Sequence, residues 1–89
     1  MANSKQAEKR HRQSLVRNAR NRSHLNRMRT AIKKLRATVE AADTQAAQEL
    51  LTPTLRVIDM TAQHGVIHNN TAARYKSRLS RAVNALAAG

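Results

Sequence analysis

The chain has 89 residues and a formal net charge of +12, from 17 lysines and arginines against five acidic residues. It contains one aromatic residue, two glycines, one proline and no cysteine. This composition excludes disulfide scaffolds and thiolate metal sites and disfavours β-sheets. We therefore expect one small helical domain, and a chain this basic is expected to bind a polyanion, for which nucleic acid is the default.

The charge is distributed unevenly along the chain. Residues 1–36 carry a net charge of +11, residues 37–73 carry −3, and residues 74–89 carry +4. The middle third is thus expected to have a different role from the two ends. No run of about 18 apolar residues is present, and the first residues lack the apolar stretch of a secretory signal, so we expect a cytoplasmic protein.

Capping and helix-ending residues divide the chain into three helical segments. Asp43 or Thr44 can cap the start of a second helix, and Gly65 can adopt the left-handed conformation that ends it. One residue of 69–71 (NNT) can cap a third helix. Pro53 is expected to bend the second helix, and a break into two short helices is the alternative. The expected helices cover roughly residues 5–41, 45–64 and 70–87.

The second and third segments are amphipathic. The apolar residues of the second cluster on one side of a helix: Ala47, Leu50, Leu51, Val57, Ile58 and Ala62. The expected buried stripe of the third is Ala72, Tyr75, Leu79, Ala82, Val83 and Leu86. Arg74, Arg78 and Arg81 form a basic row on its opposite face. These patterns predict an all-α three-helix bundle.

The first segment has an apolar seam over only part of its length. The seam residues alternate three and four apart: Leu25, Met28, Ile32, Leu35 and Val39. Continued backward, the same positions hold Asn21, Asn18 and Ser14. We therefore expect a single domain of residues 1–89, in which residues 25–89 form the helical bundle and residues 1–24 project as a basic arm that binds RNA.

The basic residues favour RNA as the polyanion. Twelve of the 17 are arginines, whose planar guanidinium groups suit phosphates and stack on bases. Interleaved asparagines and serines such as Asn18 and Ser14 can bond 2′-hydroxyls or phosphates. Tyr75 is the single aromatic residue, so the aromatic platform that reads single strands is missing. These features predict recognition of the backbone and shape of folded RNA.

A dimeric, basic-zipper-like DNA-binding protein is the alternative. Leu25, Ile32 and Val39 have heptad spacing and follow a basic stretch. However, the seam covers about two heptads, whereas a coiled coil needs three or four, and two further amphipathic segments can cover it within one chain. A membrane-surface helix is disfavoured because residues 1–24 lack an apolar face with bulky anchors.

No catalytic or metal site is predicted. His64 and His68 are four residues apart, but Gly65 should break the helix between them, so capping or contact with phosphate is the expected role. His11 and His24 lie among arginines and are expected to contact RNA or solvent. A small bundle leaves no cleft for a catalytic triad, and we expect a protein that is not an enzyme and has no cofactor, metal or small-molecule substrate.

Three stretches of the chain resemble a known family. Residues 1–5 (MANSK), 28–34 (MRTAIKK) and above all 65–79 (GVIHNNTAARYKSRL) resemble the bacterial small-subunit ribosomal protein S-twenty family, over essentially the whole chain. The resemblance implies a three-helix bundle with a long first helix, bound to 16S ribosomal RNA low in the body of the small subunit. It also implies that the protein holds RNA helices together early in assembly. Tyr75 departs from the family, which usually has a basic residue there.

Candidate RNA contacts come from two sources. The resemblance implies those in matching motifs: Lys5, Arg29, Lys33, Lys34, His68, Asn70, Arg74, Lys76 and Arg78. The placement of charge adds others: Lys9, Arg10, Arg12, Arg17, Arg20, Arg22, Arg27 and Arg81. We therefore predict a structural component of the small ribosomal subunit that binds 16S ribosomal RNA without forming a homo-oligomer.

Overall fold

The computed structural model describes residues 2–89, with side chains from residue 4 onward. Three helices account for nearly all of these residues: α1 (Ala2–Glu40), α2 (Thr44–Gln63) and α3 (Asn69–Ala88). The described chain contains no strand. The prediction of an all-α, three-helix protein is confirmed, and every helix bound agrees with its expected position within three residues.

The helix α1 ends in a left-handed residue that is not a glycine. Ala42 has a φ of 56°. Its N–H donates to the carbonyl of Val39 at 3.0 Å, and the N–H of Asp43 donates to the carbonyl of Thr38 at 2.9 Å. These bonds satisfy the last carbonyls of α1. Asp43 then caps α2 as predicted, because its side-chain oxygen accepts the N–H of Ala46 at 3.2 Å.

The helix α2 ends in the same hydrogen-bonding motif, here with a glycine. Gly65 has a φ of 75°. Its N–H donates to the carbonyl of Ala62 at 2.9 Å, and the N–H of Val66 donates to the carbonyl of Thr61 at 3.2 Å. A Cβ placed on Gly65 would meet no neighbouring atom within 4 Å. Glycine is therefore preferred here because of the positive φ, and not because a side chain would clash. The prediction that Gly65 ends the second helix is confirmed.

The two turns give a matched pair of mutations. Ala42→Gly is expected to stabilise the protein by about 0.5–1 kcal/mol, because glycine adopts the left-handed conformation without the steric cost that alanine bears. Gly65→Ala introduces that cost at the equivalent turn and is expected to destabilise by about the same amount or more. Urea unfolding of the two variants measures both changes. A destabilised Ala42→Gly variant would contradict this account of the turn.

The cap of α3 is His68. The capping role expected of His68 is therefore confirmed, and the expectation of a cap within residues 69–71 is wrong. The Nδ1 atom of His68 accepts the backbone N–H of Asn70 at 3.0 Å, and the backbone of His68 is extended, as capping residues usually are. The ring nitrogen thus accepts the hydrogen bond that a hydroxyl or amide oxygen was expected to accept. Since Nδ1 accepts, the proton of the neutral ring is on Nε2, which is left as a donor.

Pro53 lies inside α2 without ending it. The helix is continuous from Thr44 to Gln63, so the alternative of two short helices is wrong. Pro53 lacks the N–H that would bond the carbonyl of Glu49. The hydroxyl of Thr54, the next residue, donates to the carbonyl of Leu50 at 2.7 Å and adds a hydrogen bond beside this gap. The bend expected at Pro53 stays a prediction.

The core lies where the three helices meet. Its buried members are Met28, Ile32, Leu35, Ala47, Ile58, Ala72, Leu79 and Val83. Most other residues of the predicted stripes are partly buried against it: Leu25, Val39, Leu50, Leu51, Val57, Ala62, Tyr75 and Leu86. The seam of α1 is therefore covered by helices of the same chain, and a basic-zipper dimer would lack its interface.

Two threonines occupy the buried face of α2, which corrects the predicted stripe. Thr54 and Thr61 are 3% and 2% exposed. Their hydroxyls donate to the carbonyls of Leu50 and Val57 at 2.7 and 2.8 Å, one turn earlier in the helix. This bond satisfies the hydroxyl and leaves the methyl group for the core. A stripe drawn from apolar residues alone omits both positions.

The helix α1 is much longer than the bundle it joins. It has 39 residues, roughly 58 Å of helix, whereas α2 and α3 have 20 each, roughly 30 Å. The molecule measures 67 × 21 × 15 Å, and its radius of gyration is 17.9 Å, where a compact chain of this length has about 12 Å. The N-terminal half of α1 extends past α2 and α3, and every side chain of residues 4–20 is exposed.

Candidate nucleic-acid interface

The exposed half of α1 concentrates most of the positive charge. We call residues 4–24 the arm. Its basic residues are all exposed: Lys5, Lys9, Arg10, Arg12, Arg17, Arg20 and Arg22. Glu8 is its one acidic residue. Leu15 and Val16, which lie off the seam, are 55% and 70% exposed. A helix with this many like charges and no buried stripe repels itself, and a polyanion bound along it relieves the repulsion.

The arm joins the bundle at a stacked pair of histidines. The ring centroids of His24 in α1 and His64 at the end of α2 are 4.3 Å apart, and the ring planes differ by 19°. Asn21, one turn before His24, is half-buried, whereas Asn18 is exposed. The ring of His24 is therefore not fully solvated, and its contact with RNA stays a prediction. Its ring packs on a residue far away in the sequence, and no local pattern indicates that pairing.

The pKa of His24 lies below its ordinary value of 6.5. Partial desolvation of the ring is the main cause, and positive charge on His64, Arg27 and Arg20 adds to it. Both effects disfavour the protonated ring. The stacked arrangement is consequently favoured when His24 is neutral.

Acidification is expected to destabilise the folded protein through His24. Because the pKa is lowered in the folded state, the unfolded chain binds the proton more tightly, and stability falls as the pH drops below 6.5. An NMR titration of the ring protons should give a midpoint below 6.5, and thermal unfolding of His24→Gln should lose part of the acid sensitivity of the wild type. A titration midpoint at or above 6.5 would contradict the effect.

The bundle carries further exposed cations on α1 and α3: Arg27, Arg29, Lys33, Lys34, Arg74, Arg78 and Arg81. Those of α1 lie on two sides, because Arg27 and Lys34 border α2 whereas Arg29 and Lys33 face α3. The row of Arg74, Arg78 and Arg81 lies away from the buried face of α3, as its spacing predicts. The seven basic residues of the arm and these seven cations together make up 14 of the 17 predicted contacts.

Arg36 is absent from the predicted set, yet it is exposed and continues a row on α1. Arg29, Lys33 and Arg36 stand at positions i, i+4 and i+7, which share one face of a helix. The signal was present in the sequence as this spacing. The family-like stretch 28–34, which supplied Arg29 and Lys33, ends before Arg36 and so leaves it out.

Two predicted contacts already have partners in the protein. The ammonium of Lys76 lies 2.8 Å from a carboxylate oxygen of Asp59, and this ion pair joins α3 to α2. Both side chains are partly exposed, so the pair adds little stability, but it offsets the charge of Lys76. His68 uses one ring nitrogen as the cap of α3. Lys76 is therefore less available to phosphate than the exposed arginines.

The described residues form neither a metal site nor a membrane-spanning helix. No group of three or more histidine, aspartate and glutamate side chains in this part of the chain is arranged to hold a metal ion. None of the described helices has the length and apolar character needed to cross a membrane. The exposed cations are what distinguishes the surface of the molecule.

A small all-α protein with a long, exposed, polycationic helix is typical of proteins that bind the backbone of nucleic acid. Comparison with known families identifies the particular family within this class. The ribosomal protein S20 family matches residues 2–84, and the chain belongs to that family. It is accordingly a ribosomal structural protein and not an enzyme, and the predicted family is confirmed.

Curated relatives match over nearly the whole chain. The small ribosomal subunit protein bS20 of Cupriavidus pinatubonensis is 48% identical over 88 residues, which are 99% of this chain and 100% of the relative. The proteins of the same name from Bordetella pertussis and Laribacter hongkongensis are each 51% identical over 87 residues, 98% of this chain and 100% of the relative.

Proposed function

We propose that the protein is a structural constituent of the small ribosomal subunit that binds 16S ribosomal RNA and stabilises its fold during assembly. Membership of the ribosomal protein S20 family and the names of its relatives support this role. The observation that carries RNA binding is the arm, an exposed helix with seven basic residues and one acid. As a part of the ribosome, the protein acts in the cytoplasm as a single copy.

The arm binds RNA by neutralising phosphates along its length. Arginine donates two parallel hydrogen bonds to one phosphate, and the arginines of a helix project on several sides. An arm of this kind can contact RNA strands on more than one side at once, which brings RNA helices together. Such contacts read the shape and backbone of the RNA rather than its bases.

The bundle supplies the second half of the interface. We assign RNA contacts to the arm residues named above, to Arg27, Arg29, Lys33 and Lys34 on α1, and to His68, Asn70, Arg74, Arg78 and Arg81 near and on α3. Lys76 is a weaker candidate because Asp59 holds its ammonium. α2, which carries Glu49 and Asp59 against Arg56, faces away from the densest phosphate.

Assembly with RNA tests this function directly. The purified chain is mixed with 16S ribosomal RNA, with transfer RNA or with duplex DNA at equal phosphate concentration, and bound protein is measured by sedimentation. We expect preferential binding of 16S ribosomal RNA, a monomeric free protein, and co-fractionation with small subunits from cells. A protein that is dimeric or prefers duplex DNA would overturn the proposal.

A further inference from the structure

An open groove separates α1 from α3. The two helices meet over a short stretch only, because each packs chiefly against α2. The hollow between them has a volume of about 450 Å³, within the range of small-ligand sites. Ala37 and the small exposed parts of Met28 and Ile32, which are 3% and 5% exposed, form its apolar floor on α1, and Tyr75 of α3 lines it from the other side.

The wall of the groove on α1 is strongly basic. Arg29, Lys33 and Arg36 line it at consecutive turns, and all three are exposed. Glu40, the acidic residue of the lining, is the last residue of α1 and lies one turn beyond Arg36. Three cations against one acid at the end of the row make the groove suited to an anion.

Tyr75 also borders a second hollow, on the α3 side. This hollow, about 100 Å³ in volume, is lined by Thr71, Arg74, Tyr75 and Arg78. The ring of the single tyrosine therefore lies between two sets of cations, one on each helix. Tyr75 is half-buried and packs against the core.

We propose that this groove binds one unstacked nucleotide of an RNA strand, with the base against Tyr75 and the apolar floor, and with the flanking phosphates held by the two sets of cations. The proposal rests on the proposed function, because it adds a base contact to an interface otherwise made with the backbone. A base needs an aromatic face and an apolar surface, while its phosphates need cations, and the groove combines all three. One ring provides a platform for one base, so no reading of a longer single strand is implied.

The test compares two substitutions of Tyr75 against two probes. Tyr75→Phe keeps an aromatic ring, and Tyr75→Leu keeps an apolar side chain without one. Each full-length variant is titrated with a short single-stranded RNA and with polyglutamate, an acidic polymer without bases. We expect Tyr75→Leu to lose about 5- to 50-fold in affinity for the RNA and to stay within about twofold of wild type for polyglutamate. Tyr75→Phe should bind both probes like the wild type.

A second measurement needs no variant. The chain has one tyrosine and no tryptophan, so its tyrosine emission comes entirely from Tyr75. Saturation with the RNA should quench this emission, and saturation with polyglutamate should leave it nearly unchanged. If Tyr75→Leu melts early and so cannot be compared, unchanged wild-type emission on RNA saturation overturns the proposal by itself.

The remaining outcomes separate this proposal from the function on which it rests. If the wild type binds 16S ribosomal RNA and Tyr75→Leu binds the single strand equally well, the nucleotide site is rejected while the proposed function stands. Equal losses for RNA and polyglutamate would reject base stacking and indicate an acidic peptide site. Failure of the wild type to prefer 16S ribosomal RNA would reject the proposed function, and the emission of Tyr75 would still test the groove.

Discussion

Replacing Arg17, Arg20 and Arg22 together by alanine is expected to weaken binding to 16S ribosomal RNA roughly 100-fold, at roughly 1 kcal/mol for each lost charge contact. The same variant should melt at the wild-type temperature or slightly above it. All three side chains are exposed on the arm, alanine is the strongest helix former, and the loss of three charges reduces repulsion within the helix. Binding titrations and thermal unfolding measure the two effects.

A charge-conserving triple variant serves as the control. Lysines at positions 17, 20 and 22 keep the electrostatic attraction and lose the planar guanidinium, so most of the affinity should remain. A large drop in melting temperature for the alanine variant would show that these residues pack in the fold. An alanine variant with unchanged affinity would show that the arm does not bind the RNA.

The second large effect concerns the core, and α1 supplies its own control. Leu35 is fully buried and Leu15 is 55% exposed on the same helix. Leu35→Ala is expected to reduce the free energy of unfolding by about 2–5 kcal/mol, a large part of the stability of a small domain. Leu15→Ala is expected to change it by less than about 0.5 kcal/mol.

Urea unfolding of the two variants measures the contrast. Leu79→Ala, which empties the facing part of the core on α3, should behave like Leu35→Ala because Leu79 is buried in the same cluster. Similar stabilities for Leu35→Ala and Leu15→Ala would contradict the division of α1 into a packed half and an exposed half.

Local signals in the sequence were sufficient to predict the helices. The seam of Met28, Ile32 and Leu35 is buried as its spacing predicts, because residues three and four apart must share a face of a helix. Asp43 and Gly65 act at the turns as expected, since capping and left-handed conformations depend on the residue itself and its immediate neighbours.

The predictions failed where a side chain has a role that is unusual for its residue type. Thr54 and Thr61 are buried because a bond to the preceding turn satisfies their hydroxyls. A cap for α3 was expected within residues 69–71, but His68 supplies it through a ring nitrogen, a rarer cap than an oxygen. No prediction covered Ala42, which adopts a conformation typical of glycine and is held there by the hydrogen bonds of the turn.

The candidate site was less predictable than the fold because several of its contacts join different helices. The exposure of the arm follows from the polar residues that replace the seam, so charge patterning finds it. The stacking of His24 on His64, the ion pair of Lys76 with Asp59, and the groove at Tyr75 all join residues from different helices. Such contacts depend on how the helices pack, which periodicity within one helix does not encode.

The salt dependence of binding to 16S ribosomal RNA tests the central claim most directly. If the exposed cations neutralise about eight phosphates, the logarithm of the association constant should fall with the logarithm of salt concentration at a slope of roughly −6 to −7. The alanine triple variant of the arm should show a slope shallower by about 2 to 3, because three of those contacts are lost. A nearly salt-independent association, or an equal slope in the variant, would contradict the account.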